Sequence, residues 1–300
     1  MPKTAYSVLD LAIVSEGATI QQTLQNTRRL AQSVEAAGYT RYWLAEHHNT
    51  DFIGSTAPPI LIGHVAEATK TIRVGSGGIM LPNHSPLVVA EQFGTLGQLY
   101  PNRIDLGLGR APGTDQQTAA AIKSDFIQSA HSFPQEIEKL QTYFSAGNKT
   151  SAVRVPIAEG LDVPIYILGS STDSAYLAAA KGLPYAFASH FATQHLEQAL
   201  KIYKERFQPS EALAAPYAMA AINVVLADTD EQAQALFTTL IKSFVGILTG
   251  KRRGLVAPEP MTPDLEEILQ HPAVAQMLKW SFVGSPATVK AQLELSLIHI

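Results

Sequence analysis

The sequence has no cysteine, and charged residues are scarce, at 16% of its 300 residues. The absence of cysteine excludes disulfide bonds, thiolate metal sites and cysteine nucleophiles, and it leaves histidines and carboxylates as the candidates for catalysis or metal binding. Hydrophobic residues make up 46% of the chain. This share is usual for a globular protein and disfavours intrinsic disorder.

Long apolar runs and clusters of basic residues are also absent. No uncharged apolar stretch approaches the roughly 18 residues of a membrane span, and residues 1–10 lack a signal-peptide core. The 22 Lys and Arg residues are outnumbered by 26 Asp and Glu residues, which gives a net charge of −4. We therefore expect a cytoplasmic protein that binds neither nucleic acid nor membranes.

Short apolar runs alternate with longer amphipathic ones, and this pattern predicts repeated βα units around a parallel sheet. We predict seven strands, at residues 6–14, 39–45, 72–81, 103–109, 164–168, 185–189 and 219–227. Thr19 and Gln22 form a predicted capping box at the start of the first helix. The buried face of that helix is predicted from an apolar stripe: Ile20, Leu24, Ala31 and Val34.

The predicted fold class is α/β, a (β/α)8 TIM-type barrel in a single domain over residues 1–294. Residues 111–131 and 245–280 interrupt the pattern and are predicted to be insertions on the barrel rim. After a predicted helix at 286–294 only LSLIHI remains, so we expect the barrel to be truncated before its eighth strand and closing helix. LSLIHI resembles the translated end of a sequencing-library adapter, and our hypothesis is that residues 295–300 are a foreign tail.

The second predicted strand ends in Glu46, His47 and His48, at the strand end where parallel barrels carry their active sites. A histidine there supplies an acid or base that works near neutral pH. The alternative for either histidine is a structural hydrogen bond behind the strand. Because neighbouring strand residues point to opposite sides, His47 and His48 are not expected to bind one metal ion, and we predict no metal site.

Three glycines, Gly75, Gly77 and Gly78, fall within the third predicted strand. Glycine weakens a strand, so the run predicts either a flat ligand close to the backbone or a bulge at a barrel corner. Arg110 ends the fourth strand and brings a guanidinium to the rim. That charge favours an anionic ligand.

The fifth predicted strand leads into a helix through Leu168, Gly169, Ser170, Ser171 and Thr172. Hydroxyls and free N–H groups at a helix N-terminus suit a phosphate, and Arg110 supplies a countercharge. The alternative is ordinary N-capping by one or two of these side chains. A glycine-lined strand, a rim arginine and a hydroxyl-rich helix start together fit a flat, phosphorylated cofactor with the shape of FMN.

These motifs resemble the bacterial-luciferase-like family of flavin-dependent monooxygenases, and most closely its small single-chain members. The resemblance covers YWLAEHH at 42–48, VGSGGIMLPNHSP at 74–86 and LYPNRIDLGLGR at 99–110. It continues through LGSSTDS at 168–174, KGLP at 181–184 and VGSP at 283–286. Several ordered motifs in one chain are far more specific than any one of them.

The resemblance implies that His47 is catalytic and that the peptide between Gly77 and Gly78 is cis. It implies a cofactor site made of Gly77, Gly78, Arg110, Leu168, Gly169, Ser170, Ser171 and Thr172. Asp173 is assigned to helix capping, because its carboxylate would repel a phosphate. The substrate pocket is expected to include Phe52, Met80, His190 and Phe191.

The activity that the resemblance implies is oxygenation of a small organic substrate with O2. Reduced FMN would come from a separate flavin reductase, and His47 would transfer a proton. A homodimer is expected by analogy. Two other functions stay open: a non-catalytic flavin-binding subunit, and an oxidoreductase that uses the deazaflavin coenzyme F420. A phosphate-binding lyase or isomerase would need a buried lysine or paired carboxylates, and Glu46 has no evident partner in the sequence.

Overall fold

The computed structural model describes residues 4–123 and 125–297. These residues form two compact units, one of residues 4–13 and 19–168, the other of residues 14–18 and 169–297. The single domain over residues 1–294 stays a prediction. Within the described ranges, no helix is both long and apolar enough to cross a membrane.

In the first unit, five strands lie side by side in chain order, and neighbouring strands are parallel. The strands are β1 (Ser7–Asp10), β2 (Arg41–Leu44), β3 (Arg73–Met80), β4 (Ile104–Gly109) and β5 (Ile165–Gly169), whose last residue belongs to the second unit. The helices are α1 (Ile20–Ala36), α2 (Pro58–Ala68), α3 (Pro86–Leu99), α4 (Gln116–Ile122), α5 (Phe126–His131) and α6 (Phe133–Phe144). Parallel strands need crossover connections, and α1, α2 and α3 provide them between the first four strands.

The core of this unit is densest along β4, where every residue is buried, including Ile104, Leu106 and Leu108. A strand covered on both faces has a near-continuous apolar sequence, which is why β4 could be predicted from composition. β3 pairs with β4 in a register that places Ser76 opposite Leu106, and the register shifts after Gly77. This irregularity matches the bulge that the glycine run allowed as an alternative.

The predicted capping box of α1 is confirmed, but its predicted buried face is only partly right. Gln22 N–H donates to Thr19 Oγ1 (3.1 Å), and Thr19 N–H donates to Gln22 Oε1 (2.9 Å). Ile20 is 49% exposed, whereas the buried residues of the helix are Thr23, Thr27 and Ala31. Thr27 is tolerated there because its hydroxyl donates to Asp10 Oδ2 (2.7 Å).

The second unit contains two parallel strand pairs, β6 (Tyr185–Phe187) with β7 (Ala218–Ala220) and β8 (Asn223–Leu226) with β9 (Ser281–Gly284). Its helices are α7 (Thr172–Lys181), α8 (Leu196–Arg206), α9 (Asp230–Leu248), α10 (Pro263–Gln270), α11 (Pro272–Met277) and α12 (Pro286–Leu297). An apolar cluster holds α9 to α10 and α11, with its buried members at Phe237, Ile241, Phe244, Leu265, Val274 and Leu278.

Parallel strands that alternate with helices in chain order confirm the fold class, an α/β fold of the TIM-barrel type. Each of the seven predicted segments contains a strand. The predicted seventh strand is divided into β7 and β8, and at the break Ser189 Oγ donates to Ala221 O (2.6 Å). β9 was not predicted, and with α12 it makes a further strand–helix unit.

The two segments predicted to be insertions contain short helices. Residues 111–131 include α4 and α5, and residues 245–280 include α10 and α11. Of the hypothesised foreign tail, residues 298–300 lie outside the described residues, and residues 295–297 belong to α12.

Candidate functional site

The segment after β2 carries a fully buried carboxylate, Glu46. His48 Nε2 lies 2.7 Å from Glu46 Oε1, and His84 Nε2 lies 2.9 Å from the same oxygen. Asn83 Nδ2 donates to Oε1 (3.1 Å), and the Met80 N–H donates to Oε2 (2.9 Å). One carboxylate therefore fastens the segment after β2 to the segment after β3.

The charge of Glu46 follows from these contacts. Burial by itself raises the pKa of Glu46, but hydrogen bonds from His48, His84 and the Met80 N–H outweigh it and lower the pKa to about 2. Glu46 is therefore ionised at neutral pH. Because an ionised carboxylate only accepts hydrogen bonds, the Nε2 atoms of His48 and His84 both carry hydrogen.

His47 lies between Glu46 and His48 and is half-buried. Its N–H donates to Ser55 O (3.1 Å), and Ser55 Oγ donates to Ala45 O (2.5 Å). The backbone at the predicted catalytic histidine is thus held by Ser55, while the side chains on either side of it hold each other. This support limits the movement of the His47 imidazole, as a side chain used in acid–base catalysis would need.

The Gly77–Gly78 peptide in β3 is cis, as the resemblance implied. Neighbouring residues limit the space for a side chain at both glycines. A Cβ at Gly77 would lie 2.6 Å from Leu9 Cδ1, and a Cβ at Gly78 would lie 2.8 Å from Gly107 O. The backbone of β4 thus leaves no room for a side chain at Gly78, whereas at Gly77 the nearest atom is the end of a leucine side chain, which can move aside.

Arg110 follows β4 and is exposed, and none of the described carboxylates forms an ion pair with it. The residues after Arg110 pack on the segment after β2. The His48 N–H donates to Gly113 O (3.2 Å), and Thr114 Oγ1 donates to His48 O (3.1 Å). Gly113 has φ +68°, and a Cβ there would lie 2.6 Å from Glu46 O, so only glycine fits this contact.

In the second unit, α7 begins at Thr172 with Ser171 as its N-cap, and no side chain caps the helix. The predicted capping role of Asp173 is therefore wrong, because Asp173 lies in the first turn instead of at the N-cap. Ser174 Oγ donates to Ser171 O (2.6 Å), and a Cβ at Gly169 would overlap that hydroxyl. The first N–H groups of α7 have no acceptor within the helix, as at any helix start.

The predicted pocket residues are divided between the units. Phe52 and Met80 are half-buried in the first unit, where a Cβ at Gly113 would lie 3.3 Å from Met80 Cγ. In the second unit, the rings of His190 and Phe191 meet edge to face, 4.8 Å apart. Phe52 and Met80 therefore belong to the first unit, and His190 and Phe191 belong to the second.

Within the first unit, Glu46 brings together the segments that carry His47, Met80 and Arg110. Leu168 also belongs to this unit, and its Cδ1 would lie 3.2 Å from a Cβ at Gly78. Within the second unit, residues 169–172 form one continuous turn into α7: Gly169, Ser170, Ser171 and Thr172.

The partners of Glu46 were not predicted from the sequence. Asn83 and His84 stand directly after β3, and in a parallel sheet the ends of neighbouring strands meet at one edge. That rule was the signal that could have found them. In the described part of the chain, no group of three or more His, Asp or Glu side chains is arranged to hold a metal ion.

Parallel strands that neighbour each other in chain order are typical of a TIM-type barrel protein, and the candidate site lies at their carboxyl ends. Residues 6–296 match the luciferase-like monooxygenases, and the chain belongs to this family. The chain is similar to YvbT of Bacillus subtilis, with 49% identity over 97% of this chain and 87% of that protein. It is also similar to a luciferase-like monooxygenase of Escherichia coli K12, with 46% identity over 97% of this chain and 87% of that protein.

Solved structures agree with this assignment. The structure of apo-MsnO8 is 34% identical, with a TM-score of 0.88 over 99% of this chain and 90% of that one. Two further structures are similar to this chain in fold only. One is the oxygenating constituent of 3,6-diketocamphane monooxygenase of Pseudomonas putida in complex with FMN, with 18% identity and a TM-score of 0.74 over 98% of this chain and 88% of that one. The other is an F420-dependent secondary alcohol dehydrogenase in complex with an F420–acetone adduct, with 14% identity and a TM-score of 0.69 over 97% of this chain and 89% of that one.

Proposed function

We propose that this protein is an FMN-dependent monooxygenase that oxygenates a small organic substrate with O2. It takes reduced FMN from a separate flavin reductase, and it works as a cytoplasmic homodimer. The observation that carries the proposal is the fixed end of β2, where a buried, ionised Glu46 and the carbonyl of Ser55 hold the chain on either side of His47. Membership of the luciferase-like monooxygenase family supports the oxygenation chemistry.

The side chains present have the chemistry to hold FMN. Arg110 offers an exposed guanidinium without an ion-pair partner among the described residues, which suits a phosphate. The open N–H groups and hydroxyls at the start of α7 suit the same group. We assign cofactor binding to Gly77, Gly78, Arg110, Leu168, Gly169, Ser170, Ser171 and Thr172.

The protein's own contribution is proton transfer and exclusion of water. Reduced FMN, when bound, supplies the electrons that activate O2. His47 transfers a proton at the reacting centre, from a position that its backbone hydrogen bond to Ser55 holds steady. We assign the walls that exclude water and hold the substrate to Phe52, Met80, His190 and Phe191.

The cofactor assignment is tested by anaerobic titration with reduced FMN. We expect Arg110→Ala to weaken binding about 10- to 100-fold, because a charge-assisted hydrogen bond to the phosphate is lost. Arg28→Ala, an exposed arginine on α1, is the matched control and should bind as the wild type does. Equal affinities of the wild type and Arg110→Ala would remove Arg110 from the site.

The role of His47 is tested by product formation with a flavin reductase and a panel of aldehydes, sulfonates and alkanes. His47→Gln should retain the affinity for reduced FMN and lose oxygenation by about 100- to 10,000-fold. His64→Gln, at an exposed position of α2, is the control. Undiminished oxygenation by His47→Gln would contradict the assignment, and a wild type that binds reduced FMN without any turnover would favour the non-catalytic subunit.

A further inference from the structure

Asn83 links the buried carboxylate of the site to the loop that carries Arg110. Its Nδ2 atom donates to Glu46 Oε1 (3.1 Å) and to the carbonyl oxygen of Pro112 (2.9 Å). Asn83 ends a 3₁₀ turn that directly follows β3, and it is 8% exposed. A buried amide group thus spans two segments that lie far apart in the sequence.

The chemistry of its two acceptors fixes the orientation of the Asn83 amide. Glu46 is ionised and Pro112 offers a carbonyl, so both partners accept hydrogen bonds and only the NH2 group of Asn83 can face them. Both hydrogens of that group are used. No other orientation of the amide would satisfy both contacts.

Two contacts confine the backbone at Arg110, one on each side. Before Arg110, Gly109 pairs with Met80 in the β3–β4 ladder. After Arg110, Pro112 is held by Asn83. Only Arg110 and Ala111 lie between these two fixed points, so the base of the Arg110 side chain is confined although its guanidinium is exposed.

We propose that Asn83 is a positioning residue for Arg110 in the binding of the cofactor phosphate. The inference rests on the proposed function, in which Arg110 meets the phosphate of FMN. Asn83 does not touch the phosphate; it fixes the loop from which Arg110 reaches out. A confined loop loses less conformational entropy when its arginine is ordered by an anion, and affinity rises accordingly.

The test distinguishes recognition of the phosphate from binding of the rest of the flavin. Reduced FMN and reduced riboflavin differ only in the phosphate, so their affinity ratio measures phosphate recognition alone. We expect Asn83→Ala to lower this ratio about tenfold while leaving riboflavin affinity unchanged. Asn26→Ala, an exposed asparagine on α1, is the matched control and should leave both affinities unchanged.

Two further variants keep the result independent of folding defects. Thr114→Val removes the hydrogen bond from Thr114 Oγ1 to His48 O, a second anchor of the same loop, and should lower the ratio in the same direction. In the Arg110→Ala background, Asn83→Ala should change the ratio no further, since the group it positions is gone. Loss of general stability would instead lower both affinities together.

The outcomes separate the two proposals. If Arg110→Ala leaves the FMN-to-riboflavin ratio at the wild-type value, the cofactor assignment in the proposed function is wrong. If Arg110→Ala lowers the ratio but Asn83→Ala and Thr114→Val do not, the role of Asn83 is wrong and the proposed function stands. An Asn83→Ala effect that persists at full size without Arg110 also overturns the positioning role.

Discussion

Asp105 is a fully buried acidic residue of β4, and its carboxylate accepts hydrogen bonds from three side chains. Arg73 Nε donates to Oδ1 (2.7 Å), and Arg41 Nε and Trp43 Nε1 each donate to Oδ2 (3.1 Å). A buried ion needs both countercharge and hydrogen bonds, and Asp105 has both. Because Arg41 and Trp43 lie on β2 and Arg73 on β3, this one side chain ties three strands together.

We predict that Asp105→Asn lowers the free energy of unfolding by about 3–5 kcal/mol, because two guanidinium groups lose their buried countercharge. Urea denaturation at neutral pH measures this change. Asp162→Asn makes the same substitution at an exposed position and should change stability by less than about 0.5 kcal/mol. A loss below about 1 kcal/mol for Asp105→Asn would show that the cluster contributes little to stability.

The lowered pKa of Glu46 should make the stability of the protein depend on pH in the acid range. Its folded-state pKa of about 2 lies below its ordinary value of 4.5, so its stabilising contribution is present above pH 4.5 and is lost as the pH falls toward 2. Between about pH 5.5 and 3.5 the wild type should lose about 1 kcal/mol of unfolding free energy from this group. His48 and His84 are the titratable groups that face it.

The comparison with Glu46→Gln isolates this effect. The variant should be less stable at pH 5.5 and should lose less stability on going to pH 3.5, since a neutral amide does not titrate. Urea denaturation at both pH values measures the two differences, with Glu91→Gln on the exposed face of α3 as the control. Parallel loss of stability in wild type and Glu46→Gln would contradict the lowered pKa.

At the residue scale, the sequence indicated types of side chain but not their partners. His47 and Arg110 could be singled out because each follows a strand with an apolar sequence. The hydrogen bonds of Glu46 could not be predicted, because Met80 and His84 are 34 and 38 positions away in the chain. Only the folded sheet brings those positions together.

At the scale of elements, the loop after β4 depends on one glycine. Gly113 and Gly17 both have positive φ, +68° and +78°, but only at Gly113 would a Cβ meet backbone, at Glu46 O. Both alanine variants suffer the same conformational strain, so the difference between them measures the steric contact. We predict that Gly113→Ala is less stable than Gly17→Ala by about 1–3 kcal/mol, measured by urea denaturation. Equal losses would show that the loop can move away from Glu46.

The positions of the strands could be predicted better than their first and last residues. β4 was anticipated because a strand buried on both faces has a near-continuous apolar sequence. β9 was missed because it directly follows residues 245–280, which were interpreted as an insertion, and its last two residues were interpreted only as part of a family motif. The predicted seventh strand was too long, because the side chain of Ser189 bonds to the backbone where the ladder breaks.

At the scale of the whole molecule, the match to the family spans residues 6–296 and so includes most of both compact units. The first unit contains His47 and Arg110, and the second contains the start of α7. Each unit therefore contains some of the residues to which we assign FMN binding.

The most direct measurement is an anaerobic titration of the wild-type chain with reduced FMN and, in parallel, with reduced coenzyme F420. We predict saturable binding of one reduced FMN per chain, with F420 bound more weakly. Binding of reduced F420 without binding of reduced FMN would contradict the central claim and would make the protein a deazaflavin-dependent oxidoreductase.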